Sequence, residues 1–269
     1  SIMDMYEGRE IVKTVRKISL EDLANLIIRG GWPANINVAK DKCGLMPKYY
    51  INSILEKDIY ESKNVDSVKM QKLLKSLARN ESTVVSNNKL IKDISDNDDL
   101  NIDKRTVSDY IEILEKLNLF SNQLSYSTNY RSPERVGKNV KRHFTDPSLA
   151  AALLNMNANK LIADLKTFGF LFEALVERDL KIYMDYLDGN LYHFRDNVTG
   201  LEVDSILEFS DGEYAAVEIK LGFNQFKEAC ESLLKFQDNV TKKPKFMCVI
   251  CGYNENIVKD PETGIYIVP

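Results

Sequence analysis

Two stretches of this 269-residue chain decide its fold, Leu201-Glu-Val-Asp-Ser-Ile-Leu-Glu-Phe209 and Tyr214-Ala-Ala-Val-Glu-Ile-Lys220. Both are apolar apart from a few charged residues, which predicts two strands that are largely buried. Because side chains alternate along a strand, Glu218 and Lys220 share one face of the second strand. Asp204 lies on the first strand, where it can join them. An acid, a base and a second acid are therefore predicted at one place in the sheet.

The surrounding sequence predicts an α/β domain with a mixed sheet. Asp211-Gly212 stands between the two stretches and marks a hairpin turn. Further strands are predicted at 191–195, 246–251 and 265–268, and helices at 168–187 and 225–236. The second of these helices separates two strands, which predicts a parallel crossover.

The sequence before residue 147 is of a different kind. Apolar residues recur at helical spacing up to about residue 79, which predicts a helical region. From 81 to 146 the order is helix, helix and then two strand-like stretches, which is typical of a winged helix. The predicted domains are 1–80, 81–146 and 147–269, and the predicted fold class is α+β multidomain. Within it, the helical region and winged helix precede an α/β domain.

Composition indicates a soluble globular protein, with 44% hydrophobic and 28% charged residues. No apolar run is long enough to span a bilayer and no secretory signal is visible, so no membrane partner is expected. The four cysteines show no disulfide framework, which favours a cytoplasmic location. Cys248 and Cys251 have the spacing of a zinc pair, but an apolar strand surrounds them, so we interpret them as core residues.

The acid–base cluster suits a metal site. Asp204 and Glu218, with Glu173 on the preceding helix as a third carboxylate, offer the oxygen ligands that Mg²⁺ prefers, and Mn²⁺ is the alternative. Lys220 could orient a water molecule or stabilise developing charge. These four residues are the candidate catalytic set, with the three carboxylates as the metal ligands. The plain alternative is an inter-strand salt bridge on a solvated sheet face.

The winged-helix region carries the candidate nucleic-acid contacts. The second helix presents Lys104 and Arg105, and the segment between its two strands is basic. The basic candidates are Arg131, Arg135, Lys138, Lys141 and Arg142, of which the last two belong to the strand predicted over 140–144. The plain alternative for this patch is a solvated loop. Acidic residues in the loop before Asp103 would repel a DNA backbone, so docking to another protein or domain remains the alternative to DNA binding.

Several motifs together resemble one family over nearly the full length. The motifs are Met3-Asp-Met-Tyr-Glu7, Ser19-Leu-Glu-Asp-Leu23, Gly30-Gly-Trp-Pro33, Thr106-Val107 with Tyr110, Phe144-Thr-Asp146, Gly169-Phe-Leu-Phe-Glu173, Glu202-Val-Asp204 and Val217-Glu-Ile-Lys220. The last three resemble the PD-(D/E)xK, or restriction-endonuclease-like, core. The whole set resembles the C-terminal part of prokaryotic AAA+-superfamily ATPases, which carries the domain of unknown function numbered 4143.

This resemblance implies a nucleotide-binding domain before Ser1, which would be a partner and would supply ATP binding. The chain contains no Gly-x-x-x-x-Gly-Lys-Ser/Thr phosphate loop, so we expect no ATPase activity from it alone. The expected function is metal-dependent phosphodiester hydrolysis on DNA. The alternative is a catalytically degenerate nuclease fold and winged helix that bind DNA or a protein and regulate the ATPase. Assembly of an ATPase oligomer is a third hypothesis.

Overall fold

The stretch 214–220 forms the middle strand of a mixed sheet in a computed structural model of the chain. The structure describes residues 1–9, 11, 18–59, 65–95, 102–129, 131–132, 140–196, 198–253 and 257–269. These residues divide into two units. The first comprises residues 1–23, 123–140 and 176–269, and the second comprises 24–122 and 141–175. The limits of these two units differ from those of the three predicted domains, so the three-domain division stays a prediction.

The first unit contains the sheet. Its strands are β1 (Phe120–Ser125, of which residues 123–125 belong to this unit), β3 (Asn190–Arg195), β4 (Glu202–Glu208), β5 (Tyr214–Gly222), β6 (Phe246–Tyr253), β7 (Val258–Lys259) and β8 (Tyr266–Val268). Their order is β1-β3-β4-β5-β6-β8-β7. The β3–β4, β4–β5 and β7–β8 pairs are antiparallel, and the β1–β3, β5–β6 and β6–β8 pairs are parallel. The predicted hairpin and parallel crossover are both present.

The hairpin between β4 and β5 closes as its sequence predicts. Gly212 adopts a φ of 80°, a conformation that glycine reaches without strain. Its backbone N–H donates to the Phe209 carbonyl, and the Phe209 N–H donates to the Glu213 carbonyl at 2.8 Å. The turn therefore fixes the register in which Ser205 pairs with Val217, near the acid–base cluster.

Two helices cover opposite faces of this sheet. Helix α10 (Phe226–Asn239) packs on β4, β5 and β6. The core beneath it includes Tyr214, Ala216, Leu233, Phe236, Val249 and Cys251. Helix α9 (Leu165–Tyr186) belongs to this unit from residue 176. Its Glu177 carboxylate accepts a hydrogen bond from Ser205, whose neighbour Ile206 lies in the core under α10, so α9 covers the other face.

A short helix at the start of the chain was not expected from the sequence. Helix α1 spans Ile2–Tyr6 and begins with a capping box in which Ser1 and Asp4 satisfy each other's backbone N–H groups. Tyr6 fixes it to the β4–β5 hairpin, because its hydroxyl donates to Asp211 and its ring lies 4.6 Å from that of Phe209. The signal that could have found this helix was the Ser-x-x-Asp spacing.

The second unit is mainly helical, as predicted. Its elements are α2 (Leu20–Arg29, from residue 24), α3 (Leu45–Ile54) with a π-turn over Leu55–Ile59, α4 (Ser67–Arg79), α5 (Asn87–Ser95), α6 (Lys104–Lys116), the start of β1, β2 (Lys141–Phe144), α7 (Pro147–Leu153), α8 (Ala158–Ala163) and the first part of α9. β2 neighbours β1. The predicted order of helix, helix and two strands over 87–144 is therefore observed.

Two caps in the second unit show why its helices begin where they do. Asp103 caps α6 by accepting the Thr106 N–H, and Asp146 caps α7 by accepting the Ser148 N–H at 2.9 Å. The second Asp146 oxygen accepts the Gly31 N–H at 2.8 Å. The predicted fold class, a helical region followed by a mixed-sheet domain, is confirmed. Among the described residues, none of the helices combines the length and apolar character that crossing a bilayer requires.

The cysteines are confirmed as core residues. All four are free thiols and all four are buried. Burial raises the pKa of the Cys251 thiol to about 11 and raises the pKa of Cys248 as well. These thiols therefore stay protonated and uncharged near neutral pH, as apolar packing requires.

Candidate functional site

The structure brings Asp204, Glu218 and Lys220 together. The Lys220 ammonium lies 2.6 Å from Glu218 Oε2 and 3.2 Å from Asp204 Oδ2. Asp204 Oδ2 also accepts the backbone N–H of Ile219 at 2.8 Å, which ties the carboxylate to the neighbouring strand. One cation therefore bridges two carboxylates on adjacent strands.

Strand geometry explains this meeting. Tyr214 and Ala216 point into the core under α10, so Glu218 and Lys220, at the same alternation, point to the same side farther along β5. On β4, Asp204 and Ser205 together oppose the single residue His193 of β3, which is a β-bulge. Bulges re-aim side chains and are common beside active sites.

Burial and neighbouring charges shift the pKa values of Glu218 and Lys220. Glu218 is only 3% exposed, and burial raises its pKa to about 8, with the negative charge of Asp204 adding to the effect and Lys220 opposing it. Burial by itself lowers the pKa of Lys220. The charges of Asp204 and Glu218 outweigh burial, so the net pKa of Lys220 is raised. Two acids share one base here, and the buried acid, Glu218, holds its proton more tightly than a free glutamate does.

The cluster lies in the wall of a cleft of about 520 Å³ that is open to solvent. The charged residues of the cleft wall are Glu202, Asp204, Glu218, Glu228, Glu231, Lys220 and Lys235. Five carboxyl groups thus face two amines, and one of those amines already bridges two of the acids. The cleft is acidic, which favours cations and disfavours an unaccompanied phosphate.

Helix α10 forms the opposite wall and holds the cluster in place. The Ser232 hydroxyl lies 3.4 Å from Glu218 Oε1 and 3.3 Å from the Glu202 carbonyl oxygen, so its single proton can be donated to either. Ser232 was not selected from the sequence. Its signal was its position on the face of α10 that turns to the sheet, four residues before the buried Phe236.

Oxygen donors of this kind fit a hard divalent cation. Two carboxylates are enough for Mg²⁺, which keeps several of its water ligands. A closed site is not present: among the described residues, no group of three or more His, Cys, Asp or Glu side chains is arranged to hold a metal ion.

Glu173 is found in the second unit, not in the first with the other three predicted residues. Its carboxylate accepts a hydrogen bond from the Lys141 ammonium, and both side chains are largely buried. Its role as a third metal ligand stays a prediction. On the part of α9 that covers the sheet, the carboxylate in contact is Glu177, one turn later, and it lies on the face opposite the cleft.

The candidate nucleic-acid contacts fall into three groups. Lys104 and Arg105 are exposed at the first turn of α6, where Arg105 lies 4.0 Å from Asp109, and Arg131 is exposed. Arg135 and Lys138 lie outside the described residues. The expectation that all of the basic segment is solvated was wrong for the remaining two residues, Lys141 and Arg142.

Lys141 and Arg142 make their contacts within the second unit. Lys141 is 6% exposed and pairs with Glu173. Arg142 donates to the Val85 carbonyl at 2.5 Å and to Asn87 Oδ1 at 3.3 Å. Strand β2 begins at Lys141, so side chains of this strand turn inward where a loop would have exposed them.

Comparison with known families divides the sequence near residue 165. Residues 168–269 match the domain of unknown function DUF4143, which contains the whole acid–base cluster. Comparisons with curated proteins and with solved structures give no match. Residues 20–160, just over half of the chain, match a second family, described as a domain of unknown function, DUF8612. The chain therefore belongs to the DUF8612 family, with a DUF4143 domain following at its C-terminal side.

Proposed function

We propose that the cleft binds a divalent cation, Mg²⁺ or Mn²⁺, and hydrolyses phosphodiester bonds of DNA. One observation carries the proposal: Lys220 bridges Asp204 and Glu218 on adjacent strands in the wall of a solvent-open, acidic cleft. A buried acid with a raised pKa beside a second acid and a base is typical of functional sites. The PD-(D/E)xK resemblance of the same three residues points to the same chemistry.

Asp204 and Glu218 would hold the cation through their carboxylate oxygens. When bound, a divalent cation polarises a phosphoryl oxygen and lowers the pKa of a bound water. Lys220 presents an ammonium group where oxygens of both acids meet, so it can donate a hydrogen bond to a water or phosphoryl oxygen there. Ser232 and the Ile219 N–H keep the two carboxylates oriented through their hydrogen bonds.

Because the cleft is acidic, we expect DNA to bind there only when a divalent cation is also bound. Five carboxyl groups against two amines repel a DNA phosphate. A bound divalent cation offsets two of those charges and supplies a positive centre to which a phosphate oxygen can bind. We therefore expect neither DNA binding in the cleft nor cleavage when EDTA is present.

Cleavage of plasmid, linear duplex and single-stranded DNA with Mg²⁺ or Mn²⁺ tests the proposal. The wild-type protein should cut at least one of them, and Lys220→Ala should lower the rate by about 100-fold or more, as for loss of a group that stabilises developing charge. Lys243→Ala is the matched control, because Lys243 is exposed beyond the other end of β5 and β6. No cleavage by the wild type, or equal cleavage by Lys220→Ala, contradicts the proposal.

The double salt bridge of Lys220 supports a second candidate function. A lysine held by both acids can close a degenerate site, leaving a module that binds DNA or a protein partner without turnover. Lys220→Met separates the two candidates, because removal of the only bridging cation leaves two facing acids. The degenerate module should lose stability with no activity to lose, whereas the nuclease should lose turnover and keep its affinity for Mn²⁺.

The ATPase context is the remaining part of the proposal. We propose that this chain acts as the C-terminal part of an AAA+-superfamily ATPase, whose nucleotide-binding module would be its partner. The in-frame coding sequence upstream of the Ser1 codon should then encode a Gly-x-x-x-x-Gly-Lys-Ser/Thr loop. A complete upstream reading frame without such a loop would refute this part alone.

A further inference from the structure

We propose that Phe223, three residues after the cleft residue Lys220, stacks an unpaired base, so that the site takes single-stranded DNA. This inference rests on the proposed function for the chemistry and extends it to the form of the substrate. It arises from an exposed aromatic ring, Phe223, that neither the core nor the acid–base cluster uses.

Phe223 forms a pair with Phe226. Their ring centroids are 4.8 Å apart and their planes differ by 23°, which is a stacked arrangement. Phe226 packs against the core under α10, whereas Phe223 is 45% exposed. One ring is therefore anchored, and the second ring lies on it in contact with solvent. A phenyl ring in this position costs hydrophobic free energy that a bound apolar surface would recover.

The position of the pair follows from the cleft wall. Lys220 lines the cleft at the end of β5, and Glu228 lines it again on α10. The turn 221–227 connects these two lining residues, so Phe223 is only three residues from the bridging lysine. Phe226 packs on the face of the sheet that α10 covers, which is the face of the cleft. The exposed ring therefore lies within reach of a nucleotide whose phosphate is near Lys220.

The turn is held in shape before any ligand binds. The Gly222 N–H donates to Gln225 Oε1 at 3.4 Å, and a Cβ on Gly222 would come within 2.5 Å of the Asn224 side chain. Asn224 and Gln225 are themselves exposed, and side-chain amides of this kind hydrogen-bond to base edges.

Stacking selects unpaired bases. Every base has a π-face, and aromatic platforms bind single strands with little sequence preference. In a duplex the same faces are covered by neighbouring bases, so a lone exposed ring gains little unless a base is unstacked. The acidic wall adds discrimination, because a duplex would bring a second phosphate backbone toward it.

The test is anisotropy of a fluorescein-labelled oligothymidylate at low salt, with Ca²⁺ in place of Mg²⁺ to slow cleavage. Phe223→Ala and Phe223→Leu should each weaken binding on the order of tenfold, while Phe223→Trp should retain it. Leucine keeps apolar bulk without a π-face, so it separates stacking from packing. Tyr186→Ala is the control, since Tyr186 is 89% exposed on α9, which covers the other face. Equal melting temperatures would verify folding.

Each outcome decides the inference. The inference is supported if only the Ala and Leu variants lose affinity for the single strand. The matched duplex should bind more weakly than the single strand, and its affinity should be the same for all variants. Absence of single-strand binding in the wild type, or equal binding by wild type and Phe223→Ala, overturns it. If no metal supports cleavage but the Phe223 variants still lose binding, the proposed hydrolysis fails and the stacking site stands. If Phe223→Ala cleaves single-stranded DNA as well as the wild type does, the proposed hydrolysis stands and the stacking site fails.

Discussion

Each unit of the protein contains a lysine paired with acid, and the two arrangements differ in burial and in the ratio of acids to bases. In the second unit, Lys141 pairs with Glu173, and their side chains are 8% and 14% exposed. In the first unit, Lys220 meets both Asp204 and Glu218 and opens onto a cleft. The Lys141–Glu173 pair, which we call the closed pair, is neutral. The open cluster of Asp204, Glu218 and Lys220 has two acids for one base, and the raised pKa of Glu218 means that this acid keeps its proton near neutral pH.

The difference indicates which acids are available to a ligand. In the closed pair each charge faces an opposite charge, so adding a cation would leave excess positive charge there. The open cluster has one more acid than base, so a cation that displaces the proton of Glu218 can pair with both acids. We infer that the closed pair is structural and that the open cluster binds.

Breaking the closed pair should have the largest effect. Lys141→Met leaves the Glu173 carboxylate buried without its cation, which typically costs about 3–5 kcal/mol. The free energy of unfolding from urea denaturation measures it. The double variant Lys141→Met with Glu173→Leu should recover most of the loss, since no charge then stays buried. A single-variant loss below about 1 kcal/mol would contradict a structural role.

Removing an acid from the open cluster should affect metal binding more than stability. Asp204→Asn should weaken Mn²⁺ binding by about 100-fold or more, because even residues that only support metal ligands contribute 10–100-fold. Isothermal titration calorimetry measures the affinity. Asp238→Asn, on the exposed side of α10, is the control.

Glu173→Gln sharpens the same experiment. The contrast between the two lysines predicts that this variant binds Mn²⁺ as the wild type does, while unfolding more easily. If Glu173→Gln instead lowered Mn²⁺ affinity as Asp204→Asn does, the sequence-based assignment of Glu173 as a third ligand would be correct and the contrast would fail.

The sequence predicted the open cluster because strand geometry is local. Alternation places Glu218 and Lys220 on one face whatever surrounds them, and the Asp211-Gly212 turn sets the register that brings β4 alongside. Helix caps were also readable, since Asp103 and Asp146 act on N–H groups two or three residues away. Each of these features depends on residues close together in the chain.

The closed pair was not predicted because it depends on tertiary structure. Lysine is rarely buried, so the basic segment before residue 143 was expected to be solvated. Helix α9 has apolar residues on several sides, and its sequence does not fix which face meets which neighbour. Glu173 and Glu177 are one turn apart, yet they contact different units of the protein.

A third cluster has two bases for one acid, and its contribution to stability should depend on pH. In the second unit Asp93, whose side chain is 5% exposed, lies 3.2 Å from Arg79 and 2.9 Å from Lys89. Burial alone would raise the pKa of Asp93, but hydrogen bonds from Lys89 and Asn80 and the charge of Arg79 outweigh it and lower the pKa.

A lowered folded-state pKa gives stability that is complete above the unfolded value of 3.8 and is lost as pH falls through the folded value. Wild type should exceed Asp93→Asn in unfolding free energy by about 1 kcal/mol near neutral pH, because both cations are partly exposed. The difference should vanish at acid pH. Urea denaturation at pH 7 and at acid pH measures it, and a difference independent of pH would contradict the assignment.

The smallest expected effect concerns Lys235, the second amine of the cleft. It lines the cleft on α10, and among the described residues no carboxylate lies within 4 Å of its ammonium. Unlike Lys220, it is free to meet a phosphate. Lys235→Ala should therefore raise the KM for single-stranded DNA only a few-fold and leave Mn²⁺ affinity unchanged. It should also reduce the slope of log affinity against log salt concentration by roughly 0.7, which is the value for one phosphate contact on a single strand. Lys243→Ala is the control. A large fall in kcat with an unchanged salt slope would instead place Lys235 with the open cluster, and the distinction between a cation that holds the acids and a cation that meets the substrate would be lost.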